Sequence, residues 1–220
     1  MKLYTYFRSS AAFRVRIALN IKNIEHDLVP ISLVRDGGEH KQSEYLAKNP
    51  QGLVPLLEID TEGNPEPQYL SQSLAMLEYL DEEYPTPSLM PKTAIERARV
   101  RSIAQTIAID IHPLDNLRVL KYLTNDLNVE EEQKNEWYRH WVELGFSAVE
   151  KMLVSSDQTG DFCHGDSPTI ADCCLIPQVY NAERFNCPMD AFPNIMRINQ
   201  KCLSIDEFKQ ALPENQLDAT

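Results

Sequence analysis

Short apolar segments fill the first third of the chain, and runs with helical spacing fill the remainder. Residues 2–7 alternate and are aromatic, which predicts a strand. They end in Arg8, Ser9 and Ser10, after which Val15, Ala18 and Leu19 recur at helical spacing, with a stop near residues 20–23. Residues 26–32, rich in Leu, Val and Ile, predict a second strand. Asp36-Gly37-Gly38 marks a turn, followed by a polar segment of helical character to Lys48. Residues 54–70 predict a β-hairpin, with Pro55 at its entrance, a turn over residues 60–64 and a second arm around residues 68–70. Ser71, Gln72 and Ser73 then cap a helix that carries Leu74, Leu77 and Leu80 and runs to Tyr84. The order is β-α-β followed by β-β-α.

Residues 85–91 hold three prolines in seven positions and cannot continue a helix. Beyond them the pattern is helical. Val100, Ile103, Ala104, Ile107, Ala108 and Ile111 form one apolar stripe, stopped by His112-Pro113. Trp137, Trp141, Leu144, Ala148 and Met152 form a second, and both stripes predict core. The acidic run 126–136 reads as a solvated helix start. Pro168-Thr169-Ile170-Ala171-Asp172 is a capping-box pattern with Thr169 as N-cap and Asp172 at N3, a structural feature. Ile195, Ile198 and Cys202 mark a further helix, with Phe208 and Leu212 on a last short one. The prediction is an α/β domain over residues 1–84, a linker over 85–91 and an all-α domain over 92–220.

Composition narrows the partners. At 220 residues, 43% hydrophobic and 25% charged, the chain reads as a soluble globular protein with room for a sizeable core. A net charge of −12 leaves no basic stripe for nucleic acid and disfavours acidic membrane surfaces. No apolar run approaches the ~18 residues of a membrane span. Five cysteines (Cys163, Cys173, Cys174, Cys187, Cys202) form no C-x-x-C pair and have no histidine at zinc-like spacing. They predict inert thiols in a reducing compartment and no metal site. The acid-free start superficially resembles a transit peptide, but its strand-like alternation reads as the mature N-terminus of a cytoplasmic protein.

Against that acidic background, the first twenty residues contain Lys2, Arg8, Arg14 and Arg16 and no acid. Ser9 or Ser10 is the N-cap of the helix behind them, and a helix N-terminus favours anions. Screening over about 8 Å lets these local charges outweigh distant ones. The stretch therefore predicts a site for a small anionic molecule.

Several motifs, in order along essentially the whole chain, resemble the zeta class of the cytosolic glutathione transferases. They are the run from Arg8 to Leu19, Asn49-Pro50 through Val54-Pro55, Gln72-Ser73, Asp110-Ile111-His112-Pro113-Leu114 with Asn116-Leu117-Arg118, and Asn181-Ala182-Glu183-Arg184-Phe185. The chain departs from the class where Ala11 stands in place of a cysteine. The resemblance implies a two-domain glutathione transferase-like fold, an N-terminal α/β thioredoxin-like domain with a C-terminal all-α domain, assembled as a homodimer. It implies glutathione as cofactor and a small anionic keto acid as substrate. The implied reaction is cis–trans isomerisation of maleylacetoacetate to fumarylacetoacetate, in tyrosine and phenylalanine catabolism, or of maleylpyruvate. A thiolate adds to the conjugated alkene, the resulting single bond rotates, and elimination restores the alkene and the thiol. Conjugation or dehalogenation of small α-halo acids, or a non-enzymatic protein that keeps the fold, are the alternatives.

The resemblance also assigns residues. Ser9, then Ser10, would stabilise the thiolate, with Tyr6 the rival. Ala11, Ala12, Phe13 and Arg14 continue the glutathione-side stretch. Val54 would pair its backbone with the glutathione cysteine next to a cis Pro55, and Gln72 and Ser73 would hold the γ-glutamyl carboxylate. His40, His112, Asn116, Leu117 and Arg118 match further glutathione-side positions. Arg8 and Arg184 would take the substrate carboxylates, with Arg118 a third candidate, because a guanidinium fork matches a carboxylate.

Overall fold

The computed structural model describes residues 1–60 and 63–219. Two compact units emerge, one of Met1–Ser88 joined by the segment from Ile205 onward, the other of Leu89–Ser204.

In the first unit, β1 (Lys2–Thr5) and β2 (Asp27–Pro30) run parallel, connected by α1 (Ser10–Ile21). β3 (Leu56–Ile59) lies antiparallel to β1, and β4 (Gln68–Ser71) antiparallel to β3, giving the sheet order β2-β1-β3-β4. Part of the predicted hairpin turn, Thr61 and Glu62, falls outside the described residues. Side chains alternate across the sheet. Tyr4 and Leu56, in register, join Tyr45 of α2 (Ser43–Lys48) and Val54 in one buried cluster. Leu3 and Leu57, their neighbours in the same ladder, are fully buried on the other face. α3 (Ser73–Glu83) packs beside α1. α1 is buried almost throughout from Ala12 to Leu19, arginines included, as a helix enclosed on several sides must be.

Two buried cations hold this unit together. Lys22, the C-cap of α1, donates from Nζ to Asp81 Oδ1 (3.0 Å) and to the carbonyls of Tyr84 (2.7 Å) and Pro87 (2.8 Å). The Pro-rich linker expected over 85–91 is fastened at its start, and the first unit runs on to Ser88. Arg16 donates from Nε and Nη2 to the Ala211 carbonyl (3.1 and 3.0 Å), and Asn20 Nδ2 donates to the Glu207 carbonyl (2.9 Å). These bonds tie α10 (Asp206–Gln210) to α1. They explain why the end of the chain joins the first unit and not the helical domain drawn over 92–220.

The second unit contains α4 (Ala94–Gln105), α5 (His112–Asp115), α6 (Leu117–Asn125), α7 (Glu131–Val154), α8 (Ile170–Arg184) and α9 (Pro193–Cys202). α8 is its core, buried along most of its length and packed by α4 and α9. The predicted capping box is present: Thr169 Oγ1 accepts from Ala171 N–H, and Asp172 accepts from the Thr169 amide and hydroxyl and from Cys163 N–H (all 2.8 Å for the carboxylate). All five cysteines are free and buried.

Two helical expectations need correction. His112-Pro113 does not stop the first stripe: Thr106–Ile111 widens into a π-turn, and His112 N–H reaches back to the Ile107 carbonyl. Pro113 sits at the first turn of α5, where its missing N–H costs nothing, and the break comes at Asn116. On α7 the core face is Tyr138, Val142, Phe146, Val149 and Leu153, next to the predicted stripe. Leu144 of that stripe is 57% exposed. No helix among the described residues is long and apolar enough to cross a membrane.

Candidate active site

The turn between β1 and α1 is built by local chemistry. Ser9 N–H donates to the Tyr6 carbonyl (2.9 Å), closing a four-residue turn, and Ser9 then caps α1. Its Oγ accepts from Ala12 N–H at 3.2 Å, and its hydroxyl proton is donated to no described residue. Ser9 is half-buried and Ser10 buried. Arg8 is exposed, with its guanidinium 4.8 Å from the centre of the Phe7 ring. Tyr6 packs on the Tyr4–Tyr45 cluster and edge-on to Phe7, the arrangement of a structural aromatic. Ala11 is half-buried, whereas Ala12 and Phe13 are buried in the core, so only their backbone faces the helix start.

Arg14 and Arg16, counted from sequence with the attracting cations, are both buried at 2% exposure. Arg14 Nη1 donates to Ser73 Oγ at 3.1 Å and so stands behind the serine. Arg16 clasps carbonyl oxygens, and burial lowers its pKa to about 10.

A second helix start carries backbone strain. Gln72 precedes α3 with φ +70° and ψ 112°, a conformation disfavoured for any residue but glycine. Its side chain does not cap the helix; Nε2 donates instead to Gln51 Oε1 at 3.0 Å. The first helical bond is Met76 N–H to the Gln72 carbonyl, which leaves the amides of Ser73, Leu74 and Ala75 without a helical acceptor. Beside it, Val54 precedes the cis peptide bond to Pro55, and the sheet ladder begins only at Leu56. His40 lies in a short 3-10 turn, Glu39–Lys41, seated against Gly38. Gly38 has φ +110°, and a Cβ there would lie 2.3 Å from His40 Cε1. Gly38→Ala is therefore expected to cost about 1–3 kcal/mol of stability and to displace the imidazole, measured by denaturant unfolding and the His40 NMR shift.

In the second unit, Asn116 caps α6, its Oδ1 accepting from the amides of Arg118 (3.1 Å) and Val119 (3.3 Å). Leu117 and Arg118 are exposed, and His112 is half-buried at the start of α5. Arg184 ends α8, exposed, with its guanidinium over the Phe185 ring at 5.1 Å; Phe185 stacks on Tyr138 at 3.7 Å. The structure therefore gathers Arg8, Ser9, Ser10, Arg14, His40, Val54, Gln72 and Ser73 on the first unit and His112, Asn116, Leu117, Arg118 and Arg184 on the second. Gln51, the partner of Gln72, was missed from sequence, although it lies inside the Asn49–Pro55 motif.

Glutathione is an anionic tripeptide with two carboxylates and a thiol. The first unit fits it by chemistry: a strained helix start with unclaimed amides and a buried serine for a carboxylate, and a second helix start with an unclaimed hydroxyl proton for a thiolate. An α/β unit with these two helix starts defines a glutathione transferase-type binding domain. Residues 3–88 match the family model for the glutathione S-transferase N-terminal domain. Over 217 residues the chain is 48% identical to a probable maleylacetoacetate isomerase of Vibrio cholerae, covering 99% of this chain and 97% of that one. Among solved structures, a maleylpyruvate isomerase described as a bacterial zeta-class glutathione S-transferase superposes with a TM-score of 0.94 at 40% identity, over 100% of both chains. The maleylacetoacetate isomerase of Methylobacterium extorquens, with bound malonate and glutathione, superposes at 0.92 with 38% identity, again over 100% of both chains. The chain belongs to the zeta-class glutathione S-transferases, the family of the maleylacetoacetate isomerases.

Proposed function

We propose that the chain is a glutathione-dependent cis–trans isomerase of maleylacetoacetate, with maleylpyruvate the alternative substrate. The observation that carries this reading is the Ser9 hydroxyl, fixed at the start of α1 with its proton unclaimed. When bound, glutathione supplies a sulfur nucleophile that adds reversibly to a conjugated double bond and is recovered. Ser9 donates its proton to that sulfur, with Ser10 and Tyr6 in reserve, and the α1 amides add the field of a helix N-terminus. Val54 offers its backbone to the cysteine portion. Gln72, Ser73 and the α3 amides receive the γ-glutamyl carboxylate, with Arg14 holding Ser73 in place. His40, His112, Asn116 and Arg118 complete the glutathione side.

Arg8 and Arg184 bind the carboxylates of the keto acid and stabilise the enolate charge that develops on addition, with Arg118 as the third candidate. No described carboxylate pairs with these three arginines, so they are available to an anion. A bound dicarboxylate, malonate, accompanies glutathione in the Methylobacterium relative, which supports a dicarboxylic substrate. Ala11 leaves the nucleophile intact, since the sulfur is not the protein's own. Five free thiols fit a reducing, cytoplasmic setting, and the family resemblance supports a homodimer.

The deciding experiment assays both keto acids spectroscopically with and without glutathione and follows the glutathione. Recovery of glutathione over many turnovers supports isomerisation. Stoichiometric consumption redirects the assignment to conjugation or dehalogenation, and an undiminished rate without glutathione overturns it. Ser73→Ala is expected to weaken equilibrium glutathione binding about ten- to a hundredfold, the loss of one hydrogen bond to a carboxylate, with little change in kcat.

A further inference from the structure

The turn that carries Arg8 and Ser9 is gripped from behind by the last residues of the chain. Phe7 N–H donates to Asp218 Oδ2 at 3.0 Å. The Phe7 carbonyl accepts from Arg16 Nη2 at 3.0 Å, and the Tyr6 carbonyl accepts from Arg16 Nη1 at 3.4 Å as well as from Ser9 N–H. Arg16 is itself anchored at Thr5 Oγ1 (3.1 Å) and at the Ala211 carbonyl. Among the described residues no carboxylate hydrogen-bonds the Arg16 guanidinium, which donates to four oxygen atoms, three backbone carbonyls and Thr5 Oγ1. It works here as a geometric clasp, with the Asp218 carboxylate close enough to favour its charge without bonding to it. Both polar groups of Phe7 are therefore held by atoms outside the turn, one peptide unit before Arg8 and two before Ser9.

We propose that Asp218 and Arg16 are positioning residues of the thiolate site: the C-terminal segment fixes the peptide units of Phe7 and so sets where the Ser9 hydroxyl points. The inference rests on the assignment of glutathione activation to this turn. A four-residue turn pinned at its second residue has little freedom left before the cap, and misplacement of a reacting group by about 1 Å costs as much as 100-fold in rate.

The test compares Asp218→Ala with Asp218→Asn. Both remove the charge, but only asparagine keeps an oxygen that can accept from Phe7 N–H. Their difference thus reads the hydrogen bond and not the repulsion between a carboxylate and a thiolate. Three quantities are measured: exchange of the Phe7 amide hydrogen in the glutathione-free protein, ultraviolet titration of the thiol of bound glutathione, and the thermal midpoint. In Asp218→Ala the Phe7 amide is expected to exchange about tenfold faster, and the bound thiol to titrate about one pH unit higher than in Asp218→Asn. Asp218→Glu, which keeps the charge and moves the oxygen, is expected to shift in the same direction as alanine. Equal thiol titration in the alanine and asparagine variants, whatever their thermal midpoints, restricts the tail to stability and overturns the proposal. Ser9→Ala, titrated in parallel, separates the two layers. A shift in Asp218→Ala without one in Ser9→Ala keeps the clamp and moves thiolate activation to Ser10 or Tyr6; a shift in Ser9→Ala alone overturns the clamp and leaves the Ser9 reading standing.

Discussion

Ser9→Ala is expected to lower the glutathione-dependent rate at neutral pH by about tenfold while the chain stays folded. A free thiol titrates near pH 8.5, so only a few per cent is thiolate at pH 7. Lowering that pKa by about two units takes about 2.7 kcal/mol of preference for the charged form. A hydrogen bond to a charged group supplies about 1.5–3 kcal/mol, and a helix N-terminus about 1–2 kcal/mol in a partly buried setting. Alanine removes the first and leaves the second. The rate should then recover as pH rises toward the pKa of the unassisted thiol, which a loss of folding would not do. The cap bond from Ala12 N–H is also lost, at about 1 kcal/mol of stability. The pH dependence of kcat/KM for the variant, beside its unfolding midpoint, checks both parts. A variant with an unaltered profile transfers the role to Ser10 or Tyr6.

The second large effect concerns stability and lies away from the sulfur. Asp115, the last residue of α5, is 5% exposed, and neither carboxylate oxygen has a hydrogen-bond partner among the described residues. Burial alone pushes its pKa up to about 8. The sign follows from proton binding. Below the ordinary carboxylate range both folded and unfolded chains hold the proton, and Asp115 contributes no pH dependence. Between about pH 4 and pH 8 the unfolded chain releases it and the folded chain keeps it, so stability falls as pH rises through that window. Asp115→Asn is nearly isosteric and cannot ionise. It is expected to be more stable than the parent by a few kcal/mol at pH 7 and about equal to it at pH 4. Urea unfolding of both proteins at several pH values measures the difference. Parallel curves across the window would show that Asp115 ionises freely in the folded chain.

What the sequence made legible was whatever is local. The N-cap role of Ser9, the Thr169–Asp172 box and the two halves of the sheet follow from neighbours within a few residues, and the structure contains them. The second stripe on α7 failed for a physical reason. Its apolar residues occupy two neighbouring faces about 100° apart, and the two tryptophans drew the choice to the wrong one. Tyr138, Val142 and Phe146 won because α9 and the 106–111 π-turn pack against α7, with Phe185 stacked on Tyr138 and Phe192 edge-on to Phe146. Pro113 was read as a stop because no sequence pattern announces a π-turn that takes up the missing hydrogen bond.

For the site, the positive φ of Gln72 lay beyond sequence reasoning, since glutamine gives no hint of a left-handed backbone. The burial of Arg14 and Arg16 was equally hidden. Charge counting treats every arginine alike, and only the packing shows that one supports Ser73 and the other supports the turn before Ser9.

The clasp between Arg16 and Ala211 spans 195 positions of sequence. A ribosome makes one end of that contact long before the other. The sheet, α1 and α3 emerge first, while the guanidinium of Arg16 still lacks the carbonyl that it will share. A helical unit of more than a hundred residues must be synthesised before α10 arrives to close the first one. Until the segment from Ile205 onward has been made, the α/β unit lacks these contacts and its Ser9 turn is not held from behind.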